Sequence, residues 1–522
     1  MQGAWWLIAA VLVALAGSAA GDVVAVYSIQ RHGAREHLKK SDSLEEFQSV
    51  GGPTLLSQGE AECFRAGEAF RRRYLESATC AATRSCMSYA TTAPGAGYGA
   101  AVGPAPARFH NRNVYARSTS LDRTLLSAES FFTGVFPPAA TDAASGLGIP
   151  TGEQLVPIYS VSDAEDIALR GYTKCPSYHR NLSEWYGSAE FRAQEEASAP
   201  LRARVAAAMR AAGEELADGD LELARFWNVF DAFHVARNFG QGDMPAIADA
   251  DYAAMEALAH WLETRKMRPT LGGGVLGRPL LADVATSLAR AEAGERWERD
   301  FVRIVTVSSH YHTMLSVLAA LGSTDSPWAT SIPPLSSSLA FELHVERSSG
   351  SPAFAVRLVG QDGGTGAHFT IPLPCEEAAW VAASGGGGGA CTWDGFQAMA
   401  GPRAMTTEAW CEACGLLGPD AIEFKSGDEG GVTACHVARL EARVIEPVPG
   451  GEEGGDCSNR SAAVAGVASC LVTLAVATLA FAWFHVTQRR YWLGENKSDR
   501  AAVIGNPTFL GGGGSSAPAE TA

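Results

Sequence analysis

Two arginines flank a histidine and a glycine in the segment Arg31-His32-Gly33-Ala34-Arg35. Guanidinium groups bind phosphate oxygens through paired hydrogen bonds, and a neutral imidazole can attack phosphorus and carry the phosphoryl group. An exposed basic turn would have the same composition. The segment therefore predicts either a phosphate site with a histidine nucleophile or an ordinary surface turn.

The elements around this segment predict where it lies. An apolar run from Val23 to Ile29 indicates a buried strand, so the segment falls where that strand ends. Two further predicted strands carry Arg117 and lead to His310. Because the carboxyl ends of parallel strands form the usual ligand site of an α/β sheet, we expect these side chains to meet at one edge.

Predicted strands alternate with predicted helices, and a long helical block interrupts them. This order indicates an α/β fold with a central, mostly parallel sheet flanked by helices and an inserted helical cap domain. The α/β core is expected at about residues 21–140 and 295–400, and the helical insertion at about 141–294.

Two apolar segments predict how the chain meets a membrane. Residues 1–20 resemble a signal peptide, with an uncleaved anchor as the alternative. Residues 462–486 carry no charge and are followed by basic residues, which predicts a single C-terminal transmembrane helix and a cytoplasmic tail at 487–522. Residues 21–455 would then form a luminal or extracellular ectodomain of a type I membrane protein, in endosomes or lysosomes or at the cell surface.

Composition narrows the possible partners. The net charge of −16 argues against binding to nucleic acid. Eleven cysteines, ten of them outside the predicted span, indicate disulfides in an oxidising compartment. Cys411 and Cys414 also have the spacing of a zinc or redox pair, although structural disulfides are favoured and neither a metal nor another cofactor is expected. Asn181 is a predicted glycosylation site, and a homodimer is left open.

Three segments of this chain, in their order along the sequence, resemble motifs of the histidine acid phosphatases, specifically of their membrane-bound lysosomal or prostatic-like branch. The resemblance rests on Arg31–Arg35, Asn113–Thr124 and Val307–His310, and extends from about Val23 to Cys391. It implies that His32 is the nucleophile, that His310 adds a further donor, and that phosphate monoesters are the substrate. It also implies phosphate binding by Arg31, Arg35 and Arg117, a structural role for Asp122 and Arg123, and a disulfide between Cys175 and Cys375.

The resemblance is interrupted at the position directly after His310. The family has an aspartic acid there, which protonates the leaving oxygen, whereas this chain has Tyr311 followed by His312. A positioned general acid contributes about 10²–10⁴-fold to a rate. The sequence therefore predicts an acid phosphatase that works through a phosphohistidine intermediate, with Tyr311 replacing the acid. The alternative is a catalytically weak or inactive phosphatase-like membrane glycoprotein that binds phosphorylated ligands.

Overall fold

The computed structural model describes residues 22–37, 51–76, 79–80, 86–87, 108–138, 149–213, 219, 221–242, 244–297, 301–323, 326–347, 351–376, 389–417 and 435. The predicted signal peptide, span, tail and Cys457 lie outside these ranges. Within them, no helix is both long enough and apolar enough to cross a bilayer.

A mixed sheet forms the centre of the fold. Its strands are β1 (Asp22–Arg31), β2 (Val114–Ser118), β3 (Ile158–Tyr159), β4 (Ile304–Ser309), β5 (Ser338–Glu346), β6 (Ala353–Gln361), β7 (His368–Ile371) and β8 (Ala390–Thr392). They lie in the order β3-β2-β4-β1-β5-β6-β7, and β8 pairs with β6. The pairs among β1 to β4 are parallel, but every pair that involves β5 to β8 is antiparallel.

The prediction of a mostly parallel sheet is therefore wrong for this half of the sheet. The physical reason for the antiparallel pairing lies in how consecutive strands are connected. Parallel neighbours need a long crossover, which the helices after β1, β2 and β3 provide, whereas β5 and β6 are joined by a short connection that permits only antiparallel pairing.

Parallel register brings the ends of three strands together. Arg31 at the end of β1 lies opposite Ser309 of β4, and Ser118 at the end of β2 lies opposite Ser308. The segments that follow these strands consequently begin at one edge of the sheet, as the sequence predicts.

Helices cover both faces of the sheet. They are α1 (Ser57–Tyr74), α2 (Asp122–Val135), α3 (Ile167–Arg170), α4 (Pro176–Tyr186), α5 (Ala189–Ala211), α6 (Phe226–Phe239), α7 (Asp249–Lys266), α8 (Gly273–Arg296), α9 (Tyr311–Leu321), α10 (Trp393–Ala400) and α11 (Thr407–Ala413). On one face, α1 and α2 share an apolar core with β1, β2 and β4. A Cβ at Gly67 would lie 2.0 Å from the Phe131 carbonyl oxygen, so glycine is what allows α1 and α2 to approach this closely.

The helices α3 to α8 follow β3 and precede β4. Trp185, Phe191 and Trp261 form a contact group within it, with ring centroids 4.9 to 6.2 Å apart. The apolar residues of this block pack into the same cluster as the second face of the sheet. These helices therefore pack against the second face of the sheet.

The disulfides differ from the expected pairing. Cys175 pairs with Cys414, and Cys375 pairs with Cys391, so the prediction of a Cys175–Cys375 disulfide is wrong. Cys175 immediately precedes α4, where the Ser177 amide donates to the Cys414 carbonyl oxygen at 3.2 Å and brings the two cysteine backbones together. Cys375 lies in the connection to β8, only 16 residues before Cys391.

Two further disulfides join Cys80 to Cys86 and Cys411 to Cys435. Cys411 and Cys414 thus belong to different disulfides, which leaves no thiol pair there for zinc or redox chemistry. Cys63 on α1 is a buried free thiol.

Candidate active site

His32 lies directly after β1 and is almost completely buried. Its Nδ1 atom is 2.8 Å from the Gly33 carbonyl oxygen. Because a carbonyl oxygen only accepts hydrogen bonds, Nδ1 carries the proton and Nε2 keeps its lone pair. Burial, together with the charges of Arg123, Arg35 and Arg31, holds the pKa of His32 well below its ordinary value. The imidazole is therefore neutral, as a nucleophile must be.

Close backbone packing fixes the position of this histidine. A Cβ at Gly33 would lie 2.4 Å from the Gly59 carbonyl oxygen at the start of α1. The Gly33 amide donates to Ser127 Oγ at 3.1 Å, and the Ala34 amide donates to a carboxylate oxygen of Glu62 at 2.9 Å. The helices α1 and α2 thus hold the turn after β1 in place. Position 33 requires glycine because no side chain fits between this turn and the start of α1.

Three buried guanidinium groups surround the histidine. Arg31 and Arg35 come from the turn itself, and Arg123 comes from the first turn of α2. In each of them the Nε–H group is buried and has no hydrogen-bond partner within the described part of the chain. Burial lowers the pKa of Arg31 and of Arg123 to about 10, which leaves both groups cationic. Three unsatisfied, positively charged donors at one place form a site for an oxyanion.

Other nitrogens of two of these arginines are already bound. Arg31 Nη1 donates to the Pro333 carbonyl oxygen, and its guanidinium lies 5.0 Å from the centre of the Tyr311 ring. The Nη1 and Nη2 atoms of Arg35 each donate to one carboxylate oxygen of Asp231 at 2.9 Å. The two arginines are thereby held in place before any ligand arrives.

His310 completes the group from the end of β4. Its ring lies edge-on to that of His32, with the ring centroids 5.4 Å apart. Burial, and then the charge of Arg123, hold the pKa of His310 well below its ordinary value. The two predicted histidines are thus brought together, and both are neutral.

Arg117 lies elsewhere. Its Nη2 atom donates to the buried carboxylate of Asp166 at 2.6 Å. The arginine charges that lower the pKa of His32 come from Arg123, Arg35 and Arg31. The structure therefore corrects the predicted grouping of Arg117 with the two histidines and brings Arg123 to them instead.

A physical signal for Arg123 is present in the sequence. Helix N-termini favour anions and disfavour cations, yet Arg123 occupies the first turn of α2 with only 7% of its surface exposed. A buried cation at that position calls for an anionic partner. Arg117, by contrast, lies within β2, one residue before the strand ends.

Tyr311 begins α9 directly after His310. Its hydroxyl donates to a carboxylate oxygen of the buried Glu263 at 2.7 Å. Burial, and then the charge of Glu263, raise the pKa of Tyr311 well above its ordinary value. His312 Nε2 lies 3.3 Å from the same carboxylate oxygen. Both residues after His310 are therefore engaged with Glu263, which Lys266 also contacts at 2.6 Å.

A cavity of about 540 Å³ is lined by two arginines of this group, Arg31 and Arg35. Arg31, Arg35, Glu62 and Asp231 form part of its polar lining. Much of the remaining wall is aromatic or aliphatic, and includes Trp227, Phe230, Trp328 and Ile332. A phosphate held by the arginines could thus carry an apolar organic group into the cavity.

The fold and site together define an α/β protein with an arginine-surrounded histidine at the carboxyl edge of a sheet. The profile of the histidine phosphatase superfamily (branch 2) matches residues 46–361. The chain therefore belongs to the histidine phosphatase superfamily, branch 2. The matched range contains Arg123 and His310 and begins after the turn that contains His32.

Curated relatives agree with this membership. The lysosomal acid phosphatase of Bos taurus is 24% identical over 410 residues, which cover 75% of this chain and 80% of that protein. The testicular acid phosphatase of Homo sapiens is 28% identical over 286 residues, or 51% of this chain and 59% of that protein. Among solved structures, the apo form of Hafnia alvei phytase matches with a TM-score of 0.49 and 14% identity, covering 76% of this chain and 98% of that one.

Proposed function

We propose that this protein is an acid phosphatase that hydrolyses phosphate monoesters through a phosphohistidine at His32. One observation carries the proposal: a buried, neutral imidazole is surrounded by three guanidinium groups whose Nε–H donors have no partner among the described residues. The acid phosphatases among the relatives support the same reaction class.

The reaction would proceed in two displacements. His32 Nε2 attacks phosphorus, the P–N bond forms, and the P–O bond to the leaving alcohol breaks. Water then attacks the phosphohistidine, the P–N bond breaks, and inorganic phosphate leaves. Arg31, Arg35 and Arg123 bind the phosphoryl oxygens and stabilise the charge of the transition state, and His310, whose ring lies 5.4 Å from that of His32, adds a donor.

Acidic conditions suit this site. Because the pKa of His32 is well below its ordinary value, the imidazole remains neutral as the pH falls through the mildly acidic range. Arg31 and Arg123, whose pKa values are about 10, stay charged throughout this range. We therefore expect activity to persist at a pH where an ordinary histidine would be protonated and unable to attack.

The direct test measures turnover and the intermediate. Purified full-length protein is assayed with 4-nitrophenyl phosphate, and the phosphoenzyme is trapped by rapid quenching in alkali, which preserves phosphohistidine. Replacing His32 with alanine should abolish both signals. Replacing His179 with alanine is the matched control, because this exposed histidine lies on α4, outside the site. Full turnover by the His32 variant would refute the proposal.

The arrangement of Tyr311 favours one alternative. Its hydroxyl is bound to Glu263, and its high pKa makes it a poor source of protons for a leaving group. A protein of this kind could bind phosphorylated ligands and turn them over weakly. Saturable binding of inorganic phosphate without hydrolysis of any aryl or alkyl ester would support this second function.

We propose a luminal setting for the reaction, with a signal peptide at residues 1–20, a membrane span at 462–486 and delivery to lysosomes or endosomes. The four disulfides support an oxidising compartment. Asn181 lies on α4, and its side-chain amide donates to the Leu271 carbonyl oxygen at 3.3 Å. A glycosidase-sensitive mass shift that Asn181→Gln removes would test both the glycosylation and the topology.

A further inference from the structure

The proposed reaction needs a proton for the leaving oxygen, and the position after His310 does not supply a carboxyl group. The cavity wall carries a carboxylate from another element. Asp231 lies on α6, and its side chain is only 5% exposed. It lines the cavity beside Arg31 and Arg35.

Asp231 is held against the phosphate site by its ion pair. Its two carboxylate oxygens receive hydrogen bonds from Nη2 and Nη1 of Arg35, each at 2.9 Å. The buried Arg35 Nε–H has no hydrogen-bond partner in the parts of the chain that the structure describes. A phosphoryl oxygen bound to that nitrogen would therefore lie within a few ångströms of the Asp231 carboxyl group.

Charged and titratable groups face Asp231 from several elements. They are Arg31 and Arg35 from the turn after β1, Arg123 from α2, Tyr311 from α9, and His234 one turn further along α6. Three guanidinium groups thus place positive charge beside the Asp231 carboxylate. A bound phosphate dianion favours the protonated carboxyl group of Asp231, because it places negative charge beside the carboxylate and shares its guanidinium partners.

We propose that Asp231 is the catalytic acid of this chain and replaces the carboxyl group that is missing after His310. The proposal rests on the proposed phosphatase function. Binding of the substrate dianion promotes proton uptake by Asp231. As His32 Nε2 bonds to phosphorus, the P–O bond breaks and the leaving oxygen takes the proton from Asp231. The resulting carboxylate then takes a proton from the water that attacks the phosphohistidine, which restores the acid.

Glu62 is the competing carboxyl group. It lines the same cavity, and burial raises its pKa. However, one of its oxygens accepts the Ala34 amide, which ties the carboxylate to the backbone of the turn. Asp231 is favoured because it bonds directly to a guanidinium group of the phosphate site.

The test compares leaving groups in full-length protein. Wild type, Asp231→Asn, Glu62→Gln and the control Glu256→Gln, which changes a carboxylate to an amide in the same cavity wall, are assayed with 4-nitrophenyl phosphate and ethyl phosphate. Ethanol is a much poorer leaving group than nitrophenol, so only ethyl phosphate depends strongly on a general acid. For Asp231→Asn we expect kcat on ethyl phosphate to fall by about 10²–10⁴-fold, with a much smaller change on 4-nitrophenyl phosphate.

Phosphate inhibition shows whether the variant has kept its site. The asparagine resembles a protonated carboxyl group, so Asp231→Asn should still bind inorganic phosphate, with a weaker dependence on pH than wild type. Asp231→Glu should recover part of the ethyl phosphate activity with a shifted pH profile.

Other outcomes would overturn the assignment. An equal loss on both substrates with a raised KM would mean that Asp231 only positions Arg35. A selective loss on ethyl phosphate in Glu62→Gln, but not in Asp231→Asn, would make Glu62 the acid. Wild type that hydrolyses neither ester would instead refute the proposed function itself, so the two failures are distinguishable.

Discussion

Replacing Arg123 with glutamine is expected to weaken phosphate binding and turnover without unfolding the protein. The Nε–H of Arg123 has no hydrogen-bond partner within the described part of the chain. Removing this donor therefore leaves no acceptor in that part of the chain unpaired. A hydrogen bond to a charged group contributes about 1.5–3 kcal/mol, which corresponds to about 10- to 150-fold weaker phosphate binding. Loss of a transition-state donor should lower kcat by about 10²–10³-fold.

The same substitution should move the acidic limb of the pH–rate profile. Arg123 is the charge that acts most strongly on both His32 and His310, and it lowers the pKa of each. Without it the pKa of His32 rises towards its ordinary value, so the nucleophile becomes protonated at a higher pH. Activity should therefore fall earlier as the medium is acidified, which a pH series of kcat/KM for 4-nitrophenyl phosphate measures directly.

Arg117→Gln is the matched control. It removes a guanidinium group from the strand before α2 and leaves the carboxylate of Asp166, whose side chain is 1% exposed, without its ion-pair partner. We expect a loss of about 1–3 kcal/mol in the free energy of unfolding and nearly unchanged phosphate inhibition. If Arg117→Gln weakened phosphate binding more than Arg123→Gln, the assignment of the third arginine would be refuted.

Three further predictions concern the framework of the site. Tyr311→Phe should lower the free energy of unfolding by about 1–3 kcal/mol, because the buried Glu263 loses a donor; an unchanged urea midpoint would contradict this. Burial raises the pKa of Glu263, but Lys266 and His312 outweigh it and hold this pKa below its ordinary value of 4.5. The free energy of unfolding that the ionised carboxylate contributes is therefore present above that pH and is lost as the pH falls further. The difference in Tm between wild type and Glu263→Gln should therefore be largest at neutral pH and shrink under strong acid; a difference that grew with acid would show the opposite sign. Gly33→Ala should abolish turnover, because its Cβ would lie 2.4 Å from the Gly59 carbonyl oxygen; an alanine variant with normal kcat would mean that the turn can move freely.

The parallel half of the sheet shows what sequence patterns predict well. The apolar runs before Arg31 and His310 indicate buried strands, and the structure places the ends of these strands side by side in parallel register. The local hydrophobic pattern is sufficient to predict this parallel pairing, because a buried strand with a long crossover has few alternative pairings. The antiparallel pairs of β5 to β8 were missed because strand direction depends on the connection and not on the strand's own residues.

The choice between Arg117 and Arg123 as the third arginine beside the histidines shows where the sequence-based prediction failed. Arg117 and Arg123 lie only six residues apart, and both follow from the same matching block. Their side chains separate because one belongs to a strand and the other to the helix that follows it. The direction of a side chain depends on the backbone at its own position, so proximity along the chain did not reveal which guanidinium group faces the histidines.

By itself, the sequence determined the segment Arg31–Arg35 at the end of a strand, the alternation of strands and helices and the departure at Tyr311, since these depend on residue type and local spacing. Only the tertiary structure decided the disulfide partners, the bond between Tyr311 and Glu263, and the place of Asp231. Asp231 lies 196 residues from Arg35 along the chain, yet its carboxylate meets that guanidinium group at 2.9 Å. Such contacts arise when a helical block packs over a sheet edge, and no spacing within either segment encodes them.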